Sequence, residues 1–418
     1  TQGGPSRTAT TTGIENGDWK VVLNWDGHEP ACEPGNPNIM YAQRQQGHLA
    51  RVDLKTGEVL EIQPQPEEGA ERERYNWDAP IRISPHDPKR LYFASQHLWR
   101  SDMRGDSWTK VSPDLTRNQE RMELPIMGRQ RSVDNPWDFL AMSEYNTTTS
   151  IAESPLKEDL LYVGTDDGLI QISEDGGDNW REVDVSSLPG NPEMAYVNNI
   201  EAGLHDTNTV FAALDRHKLG DFAPYIYKST DRGRSWTSLR GNLPDSTLVW
   251  RIAQDHEDED LLFLATEFGI EFSVDGGEQW TKLKGGVPTI AFRDLEIHER
   301  EDDLVGASFG RGFYIMDDIK PFREISEEQL EEEATLFPLR DAWWYFPKPE
   351  LSFSSGKASQ GDSYFIAPNP PFGAVFTYYL KEGLKTKKDV RQKEEKKMVE
   401  EGEDLPFPGW DELDEEIW

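Results

Sequence analysis

The sequence predicts an all-β chain built as a β-propeller of four-stranded blades, and three observations predict it. First, an eight-residue pattern, S-x-D-x-G-x-x-W, recurs as "SEDGGDNW" (Ser173 to Trp180), "STDRGRSW" (Ser229 to Trp236) and "SVDGGEQW" (Ser273 to Trp280). Second, the pattern sits inside a longer repeat, since "DLLYVGTDDGLIQISEDGGDNW" from Asp159 parallels "DLLFLATEFGIEFSVDGGEQW" from Asp260. Third, each repeat reads as an alternating strand, a polar turn, a second strand, the repeated turn and a further strand after the Trp, with one more short strand upstream. Four strands in a recurring unit make a propeller blade.

In chain order, the second strands of six units begin near Ile39 ("IMYAQ"), Leu91 ("LYFAS"), Leu161 ("LYVGT"), Val210 ("VFAAL"), Leu262 ("LFLAT") and Leu304 ("LVGAS"). Their uneven spacing reflects loop insertions, the longest at Pro113 to Thr148. First strands are read at "IRIS" from Ile81, "NNIEAG" from Asn198 and "WRIAQD" from Trp250.

The repeated turn reads as structural. Gly177, Gly233 and Gly277 supply positive φ, and Asp175, Asp231 and Asp275 accept hydrogen bonds from turn amides. Trp180, Trp236 and Trp280 pack between neighbouring strands, while Ser173, Ser229 and Ser273 open each turn. A related turn, "SDMRGDSW" (Ser101 to Trp108), keeps Ser, Gly and Trp but carries Met103 in place of the Asp. A catalytic Asp has no reason to recur around a ring. These turns join strands three and four, so ligand chemistry is expected on the opposite face, with the strand two to three turns and the links between blades.

On that channel face the entries to the first strands bring aromatic residues, Trp77, Tyr145, Tyr196, Trp250 and Phe292, which suit a sugar ring or an apolar peptide side chain and equally suit packing at the narrow centre. The insertion "MGRQRSVDNPWDFLAMSEY" (Met127 to Tyr145), with Arg131 and Trp137, is the candidate ligand loop. Asp167, Glu267, Asp294 and Arg311 complete the candidate binding set, and Asp134, Asp138 and Asp166 also fall within reach of the channel. Glycoside hydrolysis needs two carboxyl groups about 5 to 9.5 Å apart. With 78 acidic residues in the chain, such candidates carry little specificity, and no catalytic residue is assigned.

Composition narrows the partners. A formal net charge of −34 opposes binding to nucleic acid or anionic lipid. The basic stretch from Lys381 to Lys397 is mixed with Glu and reads as a solvated helix. The single cysteine, Cys32, excludes an internal disulfide framework, and no apolar run reaches the ~18 residues of a membrane span. No G-x-S-x-G elbow, H-E-x-x-H helix, phosphate loop or calcium loop occurs, so no metal and no cofactor is expected. The sequon at Asn146 is expected to be incidental. The chain opens at Thr1 without a visible signal, and export with a missing or removed N-terminus is the expectation.

The S-x-D-x-G-x-x-W turns resemble Asp-box (BNR) repeats. The segment "VPTIAFRDLEIHEREDDLVGASFGRGFYIMDDI" (Val287 to Ile319) resembles the final propeller segment of bacterial sortilin-like, or vacuolar-sorting-receptor-like, proteins. The resemblance covers Gly13 to Arg323 and extends to "PNPPFGAVFTYYL" (Pro368 to Leu380), similar to the start of that group's C-terminal β-sandwich. It implies the propeller architecture rather than one activity, because Asp-box repeats also occur in sialidases and in two-propeller xyloglucan-degrading hydrolases. "IRISP" from Ile81 departs from the sialidase motif, and no arginine triad can be assigned. The resemblance further implies that six blades are part of a seven- to ten-bladed ring or the second of two propellers, with blades of the same polypeptide missing and unpaired edges at each end.

The resulting expectation is a propeller over residues 1–321, an acidic linker over 322–335, and an incomplete C-terminal strand region with a charged helix over 336–418. The expected function is ligand recognition or scaffolding, with a peptide or polysaccharide bound on the channel face of an exported protein. The alternative is a glycoside hydrolase of the xyloglucanase type.

Overall fold

The computed structural model describes residues 1–125, 128–134, 144–349, 357, 360–383 and 385–415. They form two compact units, Thr1–Arg323 with Trp343–Phe372, and Glu324–Ala342 with Gly373–Trp418.

The first unit is a six-bladed β-propeller in which five blades have four antiparallel strands in sequential order and the sixth has three. Blade 1 runs from His28–Cys32 through Ile39–Gln43 and Leu49–Asp53 to Val59–Glu61. Blade 2 comprises Ile81–Ile83, Leu91–Ala94, Leu98–Ser101 and Thr109–Lys110, and blade 3 comprises Thr148–Glu153, Leu161–Thr165, Leu169–Ser173 and Arg181–Asp184. Blade 4 holds Tyr196–Ala202, Val210–Arg216, Asp221–Ser229 and Thr237–Ser238, and blade 5 holds Val249–Gln254, Leu262–Thr266, Gly269–Ser273 and Thr281–Lys282. Blade 6 stops at three strands, Phe292–His298, Asp303–Ser308 and Phe313–Met316.

The second strands are mostly apolar because neighbouring blades cover both of their faces. Leu161–Thr165 and Leu262–Thr266 are buried at every position. The hydrophobic clusters accordingly lie between blades. Tyr162 and Ile170 of blade 3 meet Val197, Ile200 and Ala212 of blade 4, and Phe211 and Ile226 of blade 4 meet Ile252 and Leu264 of blade 5. The fit is close: a side chain at Gly164 would meet Val197 Cγ1 at 2.4 Å.

The repeated turns act on the same seam. In blade 3 the Ser173 hydroxyl accepts from the Gly177 amide at 2.8 Å, and Asp175 accepts from the Asn179 amide at 2.9 Å. Gly177 has φ +106°, and a Cβ there would lie 2.2 Å from the Val111 carbonyl of blade 2. The indole that closes each turn then reaches the preceding blade. Trp108 Nε1 donates to the Ile62 carbonyl at 2.6 Å, Trp180 Nε1 to Val111 at 3.2 Å, and Trp280 Nε1 to Leu239 at 2.8 Å. In blade 2, where Met103 replaces the Asp, Ser101 still accepts from Gly105 at 2.8 Å. Blade 4 differs: Trp236 Nε1 finds no partner among the described residues, and Arg181 of blade 3 donates to the Gly233 carbonyl at 3.1 Å instead.

The N-terminal segment fastens the first blade to the last. Trp19 stacks on Phe313 of blade 6 with ring centroids 6.0 Å apart, while Val22 and Leu23 pack on Met40, Ala42 and Ala50 of blade 1. In the same unit Ile14–Glu15 pairs with Ile366–Ala367.

In the second unit Ala334–Leu336 pairs with Tyr378–Leu380. A helix over Lys387–Glu401 opens on a capping box between Thr386 and Asp389, ends on Gly402 in the left-handed conformation, and buries no residue, as its uniformly charged sequence demands. No helix among the described residues is long and apolar enough to cross a membrane.

The two kinds of indole give a direct comparison. Trp280→Phe removes the bond to the Leu239 carbonyl and is expected to cost about 1–3 kcal/mol in urea unfolding, whereas Trp236→Phe should change stability by less than about 0.5 kcal/mol. Equal costs for the two would contradict the role given to the indole bond.

Candidate functional site

The first strand of every blade lines the central channel, so the residues that enter those strands converge on one mouth. The strand two to three turns open on the same face, opposite the S-x-D-x-G-x-x-W turns. Trp77, Tyr145, Tyr196, Trp250 and Phe292 all occupy such entries.

One side of the mouth is a hydrogen-bonded polar network. Asp78 pairs with His28 Nδ1 at 2.6 Å, and the His28 ring meets Trp77 edge-on at 6.3 Å. Asn76 Nδ2 donates to Thr147 Oγ1 at 2.8 Å, and Thr147 donates to Asp166 from its amide at 2.8 Å and from its hydroxyl at 2.7 Å. Burial pushes the Asp166 carboxyl up to about 7, the charge of Asp167 adds to that, and the Thr147 bonds oppose it. Asp167 is itself buried, and it accepts from Thr165 Oγ1 at 2.6 Å and from the Arg117 amide at 2.7 Å. Those bonds hold the Arg117 segment to blade 3. Tyr145 stands beside both carboxylates, and burial drives its phenol well above the ordinary tyrosine range.

Below the mouth the channel alternates charge. Arg251 Nε donates to Asp294 Oδ1 at 2.5 Å. Glu29 is crowded by the surrounding blades, and that desolvation pushes its carboxyl up to about 7 against the pull of Arg251. Glu201 and Glu296 are raised by burial too.

The other side of the mouth, across blades 4 to 6, is an aromatic pocket of about 360 Å³ lined by His217, Phe222, Trp250, Glu267, Phe268 and Arg293 among others. Trp250 Nε1 donates to Glu267 Oε2 at 3.1 Å. His217, held through Nδ1 by Asp215, meets the Trp250 ring edge-on at 5.5 Å. The Arg293 guanidinium lies 3.6 Å from the Trp250 ring centroid and 5.1 Å from that of Phe309. Phe222, Phe268 and Phe309 are 50%, 51% and 71% exposed, an unusual row of apolar rings left facing solvent. A second pocket, of about 250 Å³, lies between blades 1 and 2. Its Arg51 and Arg104 are paired with Asp106 and Glu33, and no aromatic side chain lines it, so it carries no ligand chemistry comparable to the first.

Among the sequence-selected residues, Trp250 and Glu267 thus share one pocket, Trp77, Tyr145 and Asp167 belong to the polar side, and Asp294 sits in an ion pair within the channel. Arg311 is exposed in the tight turn of blade 6 that Ser308 closes onto the Gly312 carbonyl. Arg131 is half-buried in the insertion, and Trp137 lies outside the described residues. Sequence reasoning did not single out Phe222, Phe268, His217 or Arg293. The signal for the two phenylalanines was a large apolar residue in a polar strand two to three turn, "GDFAP" and "TEFGI".

No family model matches the chain. Over 257 residues, or 59% of its length, the chain is 25% identical to the oligoxyloglucan-reducing end-specific xyloglucanase of Emericella nidulans. The match spans only 27% of that relative's own length. Among solved structures, the GH74 xyloglucanase from Xanthomonas campestris aligns over 72% of this chain and 47% of its own, at 18% identity and a TM-score of 0.51. An ancestral GH74 enzyme aligns over 70% of this chain and 36% of its own, at 13% identity and the same TM-score of 0.51. At these identities the structural likeness is one of fold, the β-propeller.

A carboxyl with a raised pKa holds its proton more tightly folded than unfolded, so stability falls as pH rises from the unfolded value toward the folded one. For Asp166 that window runs from 3.8 to about 7. Asp166→Asn should therefore gain about 1–4 kcal/mol on the parent between pH 4 and pH 8 in urea unfolding. A difference between the two proteins that does not move with pH would contradict the assignment.

Proposed function

We propose that this chain is a glycan-recognition propeller that binds a polysaccharide strand across blades 4 to 6 on its channel face. The observation that carries the reading is the exposed aromatic row of Phe222, Phe268 and Phe309 around the Trp250 and Glu267 pair. Flat apolar rings give a sugar its C–H faces to stack on, and polar groups beside them fix its hydroxyls. The xyloglucanase relative and its glycan-acting structural neighbours support a saccharide over a peptide as the occupant. The Asp-box identity of the repeated turns, a kinship with sortilin-like propellers, and export to where polysaccharides occur are parts of the same proposal.

A hydrolytic role is the second reading. What favours it is the presence of Asp166 and Glu29, both raised to about 7, among the other carboxylates at the channel. A carboxyl that keeps its proton near neutrality is what a general acid requires.

Isothermal titration of the protein with β-glucan and xyloglucan oligosaccharides is expected to give saturable binding. Phe268→Ala, which removes an exposed ring and leaves the core intact, should weaken it about tenfold. Absence of binding to any saccharide would refute the proposal. Release of new reducing ends, lost in Asp166→Asn, would convert it into the hydrolytic reading.

A further inference from the structure

We infer that the saccharide taken at this site is an acidic one, with uronate carboxylates held by Arg293 and Lys218. The inference rests on the glycan-binding reading and narrows its substrate class.

Arg293 carries it. Its guanidinium lies 3.6 Å from the Trp250 ring and 5.1 Å from that of Phe309, and no carboxylate among the described residues pairs with it. Stacking fixes the plane of the group and leaves its donor edges turned outward from the two rings. Lys218 repeats the arrangement on blade 4, with its ammonium 5.2 Å from the Tyr196 ring and no ion pair among the described residues. His217, the chain neighbour of Lys218, meets Trp250 edge-on, so the Lys218 segment reaches the ring on which Arg293 rests.

Several arginines nearby are paired with acids, Arg216 with Asp221, Arg232 and Arg234 with Glu174, and Arg251 with Asp294. The carboxylates whose charge acts on Arg293 each have another partner, Glu267 in Trp250, Asp215 in His217 and Asp78 in His28. A fork of fixed orientation matches a carboxylate through two parallel hydrogen bonds. The exposed rings alongside it supply the stacking surface for the sugar that bears the carboxylate. The net charge of the whole chain does not forbid this, because charges beyond about 8 Å are largely screened at physiological salt.

The test is titration of the full chain with sodium polygalacturonate, sodium polymannuronate, the fully methyl-esterified form of each, and a neutral β-glucan. Esterification keeps the backbone and removes the charge. The acidic polymers should bind about tenfold or more tightly than their esters, with an advantage that shrinks as salt is added. Arg293→Gln and, separately, Lys218→Gln should erase most of that advantage, so that each variant binds acid and ester about equally. Arg293→Lys, which keeps the charge but not the fork, should restore little. Equal binding of acid and ester, or preference for the neutral glucan, overturns this inference and leaves the glycan reading standing. No binding of any polymer overturns both.

Discussion

A propeller blade cannot bury its own faces, and the rest of this structure follows from that constraint. Each four-stranded sheet here has two apolar sides, so it is stable only when a neighbour covers each of them. The indole of the S-x-D-x-G-x-x-W turn adds a directional element to that contact. Trp108, Trp180 and Trp280 each donate to a carbonyl just beyond the outer strand of the preceding blade, which fixes how far one blade rotates on the next. Where Trp236 lacks that bond, Arg181 reaches across the seam in the opposite direction. The turns therefore recur because the seam recurs.

A ring held at its rim by such contacts forces the first strands together at its centre, and the electrostatics there follow from crowding. Glu29 and Glu201 are raised because the surrounding blades desolvate them and only the charge of a few arginines opposes this. Arg251 answers Asp294 directly. On one side of the mouth above, exposed aromatic side chains join Glu267 and Arg293 around Trp250. The proposed recognition site on blades 4 to 6 rests on this contrast between a carboxylate-lined channel and an aromatic ledge.

Much of the fold was legible in the sequence. Strands of period two with continuous apolar second strands, such as Leu161–Thr165, and turns whose glycines need positive φ leave a local record, so blade order and strand order can be read directly. The N-terminal fastening by Trp19 leaves none, because its partner Phe313 stands at the far end of the propeller sequence and is selected only by ring closure. The site divides in the same way. Trp250 and Glu267 could be chosen from their places in a strand entry and a turn. The stacking of Arg293 of blade 6 on a ring of blade 5 could not, since it depends on the angle between blades. Asp167 shows the converse: its place in a glycine turn marks it for the mouth, while its bonds to Thr165 and Arg117 depend on a loop that the turn does not reveal.

The most direct measurement is backbone hydrogen exchange on the protein with and without a saturating oligosaccharide. Protection reports which segments a ligand quiets, independently of how tightly it binds. The account predicts slowed exchange over residues 215–223, 246–250, 266–269 and 292–294, with residues 173–180, 229–236 and 273–280 on the opposite face unchanged. Protection confined to those three repeated turns, or to the seam between blades 1 and 2, would contradict it.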